Sequence, residues 1–212
     1  MNYELITEYG DPGAENVLIQ MVDDHDLEGI ESEAAEIKRL TDADFCLTAI
    51  KVRDWNKDLS PWQAPAVFGN EDFGSGAKDT LAGVLGHTDD RSRTYYIGGY
   101  SLAGLFALWA AYQTDVFRGV AAASPSVWFP GFADYMKENT IHAESVYLSL
   151  GNKEEKTRNP VMASVGSRIR EAASMLAEQG IDTVLEWNEG NHFRDADIRT
   201  AKAFAWVLER KK

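Results

Sequence analysis

The sequence alternates between short apolar runs and longer stretches in which apolar residues recur at helical spacing. The apolar runs predict β-strands at residues 3–9, 17–22, 45–52, 95–97, 118–123, 145–150 and 183–187. The helical spacing predicts helices near residues 30–40, 77–86, 102–109, 165–180 and 196–209. Because strands and helices alternate along the chain, we expect an α/β fold with a mainly parallel sheet covered by helices on both faces.

In such sheets ligands bind beyond the carboxyl ends of the strands, so the loops that follow strands are the places to look for chemistry. The longest of these loops, residues 54–76, contains prolines and glycines that exclude long regular elements. Trp55 in this loop and Trp128 after the strand 118–123 are expected to wall an apolar substrate pocket. The alternative role of both tryptophans is to bury irregular loops.

Composition narrows the class of protein. The 212 residues are 44% hydrophobic and 11% aromatic, which predicts a single domain over residues 1–212 with a sizeable core. The formal net charge of −13, from 34 acidic and 21 basic residues, argues against a nucleic-acid partner or an anionic membrane surface. Cys46 is the single cysteine and lies in an apolar run, so we expect a buried thiol and no intramolecular disulfide.

The amino-terminal stretch MNYELITEYG is acidic and lacks the basic and then apolar pattern of a signal peptide. No apolar run approaches the length of a transmembrane helix. These features predict a cytoplasmic protein.

The stretch TYYIGGYSLAGL at residues 94–105 carries the first candidate for chemistry. Ser101 follows an apolar strand and precedes a helix, with the small residues Gly99 and Ala103 two positions to either side. This G-x-S-x-A pattern is a variant of the nucleophile elbow G-x-S-x-G, in which a sharp turn exposes a reactive serine at a helix N-terminus. Ser101 is therefore the candidate nucleophile. The alternative is an ordinary glycine-rich turn with a solvated serine.

A reactive serine needs a base and an acid that orients the base. His192 follows the last predicted strand and could take the serine proton, because an imidazole titrates near neutral pH. Glu154 and Glu155 follow the strand before it and both qualify by position as the acid. Other acidic residues near these loops are also open as the acid, namely Asp182, Glu186, Glu189, Asp195 and Asp197. The chain order serine, carboxylate, histidine is that of the α/β hydrolases.

The oxyanion of an acyl-transfer reaction needs two donors. One should be the backbone N–H of Leu102, directly after the nucleophile, and the other should come from the loop after the strand 17–22, near Asp24 or His25. The alternative for the acidic stretch 23–26 is a metal site, since carboxylates and imidazole are common ligands. We disfavour it because neighbouring residues of an extended segment point to opposite sides.

Several motifs together resemble one family. GGYSLAG, then ASPSVWFPG, LGNKEE and GNHF, each after a successive predicted strand, are similar to the esterase D and enterochelin-esterase branch of the α/β hydrolases. The resemblance covers residues 17–212. It implies a three-layer α/β-hydrolase fold, cleavage of carboxylic esters without a cofactor or metal, and a triad of Ser101, His192 and Glu154, because Glu154 takes the acid position of the family's G-x-x-E segment.

The sequence departs from that family in two places. Ala103 stands where the family usually has glycine, and His25 and Asp26 follow Asp24 where the family's loop usually has a glycine. We expect a minimal enzyme without a lid domain, which acts on a small soluble ester through an acyl-enzyme. Acyl transfer through the same intermediate and a non-catalytic binding protein are the alternatives. The sequence leaves the oligomeric state and the identity of the ester open, siderophore, thio- and sugar esters being those that the resemblance suggests.

Overall fold

A sheet of seven strands forms the centre of the computed structural model, which describes residues 3–210. The strands are β1 (Tyr3–Gly10), β2 (Asn16–Val22), β3 (Phe45–Val52), β4 (Thr94–Tyr100), β5 (Phe117–Ala123), β6 (Ser145–Gly151) and β7 (Asp182–Asn188). Their order in the sheet is β1-β3-β2-β4-β5-β6-β7. β1 pairs antiparallel with β3, and all the other pairs are parallel. The predicted mainly parallel sheet is confirmed.

Helices cover both faces of the sheet. They are α1 (Asp24–Leu40), α2 (Trp55–Asp58), α3 (Ala77–Leu85), α4 (Ser101–Gln113), α5 (Phe132–Glu138), α6 (Pro160–Ala163), α7 (Val165–Glu178) and α8 (Ala196–Leu208). On one face α1 packs against α8, and on the other α3, α4, α5 and α7 share a second core. None of the helices between residues 3 and 210 is long and apolar enough to cross a membrane.

Strand β2 shows why this sequence needs two helical layers. Its apolar residues alternate between the two cores, Ile19 and Met21 facing the α4 side and Leu18 and Val22 facing the α1 and α8 side. A strand buried on both faces reads as a nearly continuous apolar run, and in β2 Gln20 is the one polar residue among its buried positions. Cys46 on β3 is 1% exposed, as predicted, and burial raises the pKa of its thiol.

Helix α1 begins earlier than the sequence analysis expected. The stretch 23–26 was assigned to a loop, but the helix starts at Asp24 because Asp23 and Asp26 form a capping box. The Asp23 carboxylate accepts from the Asp26 N–H at 2.8 Å, and the Asp26 carboxylate accepts from the Asp23 N–H at 3.1 Å. These bonds satisfy backbone donors that a helix start otherwise leaves open. The connection from β2 to α1 is therefore the single residue Asp23.

The sequence analysis also missed α5 and the short helices α2 and α6. Helix α5 has seven residues, and α2 and α6 have four each, which is too few to show a helical period of apolar residues. Apart from α2, the segment 54–76 is irregular, as expected, and a bridge between Ala64 and Phe73 ties it together. Trp62 anchors it by donating from Nε1 to the Pro130 carbonyl at 2.8 Å.

Gly98 in β4 lies close to Phe204 of α8. A Cβ atom at this position would lie 2.6 Å from both the Ala121 carbonyl oxygen and the Phe204 ring, contacts that real side chains do not make. We expect Gly98→Ala to lower the free energy of unfolding by about 1–3 kcal/mol, the usual cost of overpacking. Urea titration measures it. Gly86→Ala is the control, because φ is −65° there and the added methyl would meet a single atom at 3.3 Å. An equal loss in both variants would contradict the close packing at Gly98.

Candidate active site

Ser101 occupies a strained turn between β4 and α4. It is the first residue of the helix, and its φ of 56° lies in the left-handed region that residues with a side chain rarely adopt. Such strain is typical of a nucleophile elbow, where the serine must project from the end of its strand. Tyr100, just before it, is the last residue of the strand and keeps extended geometry.

The small residues around Ser101 allow strand and helix to approach closely. Gly99 has a φ of 154°, and a Cβ atom there would lie 2.7 Å from the Ala103 methyl. Ala103 is fully buried, so the methyl that departs from the family pattern fits in the space left by the missing side chain of Gly99. Gly104 is equally confined, since a Cβ atom would lie 3.2 Å from Pro125.

His192 bridges Ser101 and Glu154. Its Nε2 lies 3.0 Å from the Ser101 Oγ, and its Nδ1 lies 2.7 Å from the Glu154 Oε2. The histidine belongs to the loop between β7 and α8, and Tyr100 fixes this loop by donating from its hydroxyl to the His192 carbonyl at 2.7 Å. Burial raises the pKa of Tyr100 to about 12, so the hydroxyl keeps the proton that it donates.

Glu154 lies in the turn after β6 and is almost completely buried. Its Oε1 accepts from the Gly151 N–H at 2.7 Å and from the Ser124 hydroxyl at 2.8 Å. Burial alone would raise the pKa of this carboxyl, but the hydrogen bonds from His192, Gly151 and Ser124 outweigh it and the pKa lies below its ordinary value. Glu154 is therefore ionised at neutral pH.

The other candidate acids lie elsewhere. Glu155 is exposed and pairs with Arg170 at 3.5 Å. Asp197 lies in the first turn of α8. The other candidates form ion pairs with basic residues other than His192, namely Asp182, Glu186, Glu189 and Asp195. Of the carboxylates that the sequence left open, the structure places Glu154 against His192.

Arg199 is a site residue that the sequence analysis missed. Its guanidinium is 2% exposed and donates from Nη1 to the Glu154 Oε1 at 3.0 Å and to the Tyr100 hydroxyl at 3.0 Å. Its Nη2 donates to the carbonyls of Glu189 and Asn191, both at 3.1 Å, in the loop that carries His192. One side chain of α8 thus holds the acid and the histidine loop together. The signal in the sequence is an arginine on the apolar stripe that continues through Ala203 and Val207.

Two serines of the S-P-S stretch after β5, Ser124 and Ser126, also contact the residues around His192. Ser124 donates to Glu154, as described, and has a φ of 42°. Ser126 has its Oγ 3.3 Å from the Ser101 Oγ, and its N–H donates to the Ser101 carbonyl at 3.0 Å. The S-P-S stretch after β5 therefore supports Ser101 and Glu154 from one side.

The predicted oxyanion donors occupy the starts of two helices. Leu102 is the second residue of α4, and Asp24 and His25 are the first two residues of α1 rather than parts of a loop. Because β2 lies next to β4, α1 begins beside the strand that carries Ser101. In the first turn of α1 the N–H groups of Asp26 and Leu27 are bonded to Asp23, which leaves those of Asp24 and His25 as the candidates.

The two tryptophans predicted to wall a substrate pocket occupy different surroundings. Trp128 is 8% exposed and lines a groove of about 400 Å³ together with Pro160, Val161 and Arg168. Trp55 opens α2 and packs, partly buried, against the core on the α4 side of the sheet. Trp55 is not among the residues that line the groove beside Trp128.

The metal-site alternative for residues 23–26 gains no support. Asp23 and Asp26 are engaged in the capping box, and Asp24 pairs with Lys51 at 2.7 Å. Over residues 3–210 no three His, Cys, Asp or Glu side chains are arranged to hold a metal ion.

Comparison with known proteins identifies the fold. No family model matches the sequence, and no curated protein sequence matches it either. Among solved structures, an IroE-like serine hydrolase from Shewanella oneidensis matches with a TM-score of 0.76 at 14% identity, over 96% of this chain and 75% of that chain. The siderophore hydrolase EstA from Aspergillus nidulans matches with a TM-score of 0.66 at 17% identity, over 94% and 85%. The enterobactin esterase FES from Shigella flexneri matches with a TM-score of 0.64 at 11% identity, over 96% and 55%.

These likenesses show that the chain has the α/β-hydrolase fold, as its motifs predicted. The structures that share it include enterobactin esterases and siderophore hydrolases, the branch that the motifs of the sequence resemble. At such identities the likeness establishes the fold alone, and the chemistry depends on the residues described above.

The buried ion pair of Arg199 and Glu154 can be tested by a double-mutant cycle. Arg199→Met and Glu154→Leu should each lower the free energy of unfolding by about 3–5 kcal/mol, because each leaves a buried charge without its partner. The double variant should lose less than the sum, since the second change removes a group that is already unpaired.

Urea unfolding of the four proteins measures the coupling. The exposed pair of Arg170 and Glu155 is the control, and a cycle of Arg170→Gln and Glu155→Gln should give a coupling below about 1 kcal/mol. Additive losses for Arg199 and Glu154 would show that their ion pair does not hold this part of the structure.

Proposed function

We propose that this protein is a serine hydrolase of carboxylic esters that forms an acyl-enzyme on Ser101. The observation that carries the proposal is the chain of hydrogen bonds from Ser101 through His192 to Glu154, at 3.0 and 2.7 Å, built on a left-handed serine. A nucleophile, a base and an acid within hydrogen-bond distance are the arrangement that activates a serine hydroxyl.

The first half of the reaction transfers the acyl group to the protein. The Ser101 Oγ attacks the ester carbonyl while its proton passes to the His192 Nε2, which gives a tetrahedral oxyanion. When the intermediate collapses, the bond to the alcohol breaks and the alcohol leaves with the proton from His192. The backbone N–H of Leu102 and that of Asp24 or His25 are the proposed oxyanion donors.

The second half releases the acid. Water attacks the acyl carbonyl as His192 takes one of its protons, and the new intermediate collapses to the carboxylic acid and a reprotonated Ser101. Glu154 stabilises the imidazolium in both halves and keeps the proton of the neutral ring on Nδ1. Its lowered pKa suits this role, because the carboxylate must stay ionised while the histidine gains and loses a proton.

The structural neighbours support ester hydrolysis as the reaction, since they are described as a serine hydrolase, a siderophore hydrolase and an enterobactin esterase. The proposed reaction needs only the side chains above and water, and a small soluble ester is the proposed partner. Trp55 and Trp128 as pocket residues and a cytoplasmic location stay predictions from the sequence.

Ser101→Ala tests the nucleophile. With short-chain p-nitrophenyl esters, the turnover of this variant should fall at least about 10³-fold, because no hydroxyl remains to form the acyl-enzyme. A fluorophosphonate probe should label the unmodified protein at Ser101 and leave the variant unlabelled.

Ser126→Ala is the matched control, since its hydroxyl lies 3.3 Å from that of Ser101 but has no proposed covalent role. It should still be labelled at Ser101. Absence of both turnover and label in the unmodified protein would favour a non-catalytic binding protein. A label on Ser126 would identify Ser126 as the nucleophile instead of Ser101.

A comparison of two neighbouring glutamates tests the acid. Glu154→Gln should lower turnover by about 10²–10⁴-fold, because an amide can hold His192 in the wrong tautomer and does not stabilise the imidazolium. Glu155→Gln should change it little, since that side chain pairs with Arg170 at the surface. Steady-state kinetics with the same esters measures both, and a larger loss in Glu155→Gln would reverse the assignment.

A further inference from the structure

A second feature of the site, the acidic groove, lies where α1 and α8 begin. It has a volume of about 330 Å³, and five carboxylates line it, those of Asp26, Glu28, Glu33, Asp195 and Asp197. Among the described residues of its wall there is neither lysine nor arginine, and one histidine, His25. Such a groove concentrates negative potential and attracts cations.

The acidic groove is lined by chain neighbours of the residues in the candidate active site. Tyr100 immediately precedes Ser101, and its hydroxyl is bonded to the His192 carbonyl. Phe193 immediately follows His192, and His25 is a predicted source of the oxyanion N–H. A substrate bound at Ser101 could therefore extend a substituent into this groove.

Glu33 and Gln20 form the floor of the groove and are incompletely bonded. Their residues are 4% and 2% exposed, and the Gln20 Nε2 donates to the Glu33 Oε2 at 3.3 Å. The Oε1 atoms of both side chains have no hydrogen-bond partner in the part of the chain that the structure describes. Buried acceptors without donors cost free energy, so these two atoms point to a ligand that donates.

Burial is the main influence on the pKa of two carboxyls in the groove. Burial raises the pKa of Glu33 well above its ordinary value, although the bond from Gln20 opposes the shift. Burial also raises the pKa of Asp26 to about 6, with Asp23 contributing. A cation in the groove would favour the ionised forms of both carboxyls.

We propose that the acidic groove binds a primary ammonium group on the ester substrate. An ammonium has three donors and no acceptor, which suits the Oε1 atoms of Glu33 and Gln20 together with another of the carboxylates that line the groove. The assignment rests on the proposed ester hydrolysis and narrows its substrate to esters that carry an amine. The volume suits a short aminoalkyl group.

Two p-nitrophenyl esters that differ in one group test the proposal. The 6-aminohexanoate ends in an ammonium where the heptanoate ends in a methyl, and the two chains have the same length. The kcat/KM of each ester is divided by its rate of spontaneous hydrolysis, so that the intrinsic reactivities of the two esters cancel. The unmodified protein should then prefer the ammonium ester by about tenfold or more, which is the effect of one hydrogen bond to a charged group.

Glu33→Gln should move this preference towards one, because it removes the charge and preserves the shape. Glu31→Gln, on an exposed position of the same helix, is the matched control and should keep the preference. No preference in the unmodified protein, or the same preference in Glu33→Gln, would overturn the proposal.

Calorimetry with hexylammonium separates this proposal from ester hydrolysis. Hexylammonium should bind the unmodified protein, with hexanol as the neutral comparison, and Glu33→Gln should weaken the binding. If hexylammonium binds through Glu33 but no ester is cleaved, the groove assignment stands and the proposed function fails. If esters are cleaved without preference and hexylammonium does not bind, the groove assignment alone fails.

Discussion

The buried guanidinium of Arg199 is the interaction on which the geometry of the site depends. It contacts the end of β4 through Tyr100, the turn after β6 through Glu154 and the histidine loop through two carbonyls. These segments are far apart in the sequence and meet only where the carboxyl ends of neighbouring strands converge. A planar group with five donors in a fixed arrangement can bond all of them at once, which the single ammonium of a lysine cannot do. Arg199 thus bonds Glu154 and the loop that carries His192, two of the segments that meet at Ser101.

The sequence was sufficient for features that are encoded locally. Strand β3 was predicted with its observed bounds, because it is apolar at most positions and buried at all of them except Lys51. The elbow at Ser101 could be recognised because its small neighbours are fixed by the close approach of β4 and α4. The predicted start of α1 was wrong. The capping box at Asp23 has an aspartate at the third helical position, where the usual sequence signature has glutamate or glutamine.

Other features depend on contacts that no local pattern encodes. The residues alone did not separate Glu154 from Glu155. The direction of the Glu154 side chain is set in part by Ser124 and Arg199, which come from other parts of the fold, and Glu155 pairs instead with Arg170. Arg199 itself could have been noticed as a charge on an apolar stripe, yet its partners were not predictable. Glu33 is a similar case, since it lies between Ile30 and Ile37 on the buried face of α1 and looks in the sequence like one more acid of an acidic helix.

The position of Arg199 in α8 also orders events during synthesis of the protein. Ser101 and His192 are separated by 91 residues and Tyr100 and Arg199 by 99, so the ribosome has released nearly the whole described chain before these contacts can form. Until then the α1 side of the sheet lacks its partner helix, and the Ser101 hydroxyl has no base beside it. The nascent chain is thus without a base beside Ser101 while it is still folding, and the candidate site is completed in the same step that closes the core between α1 and α8.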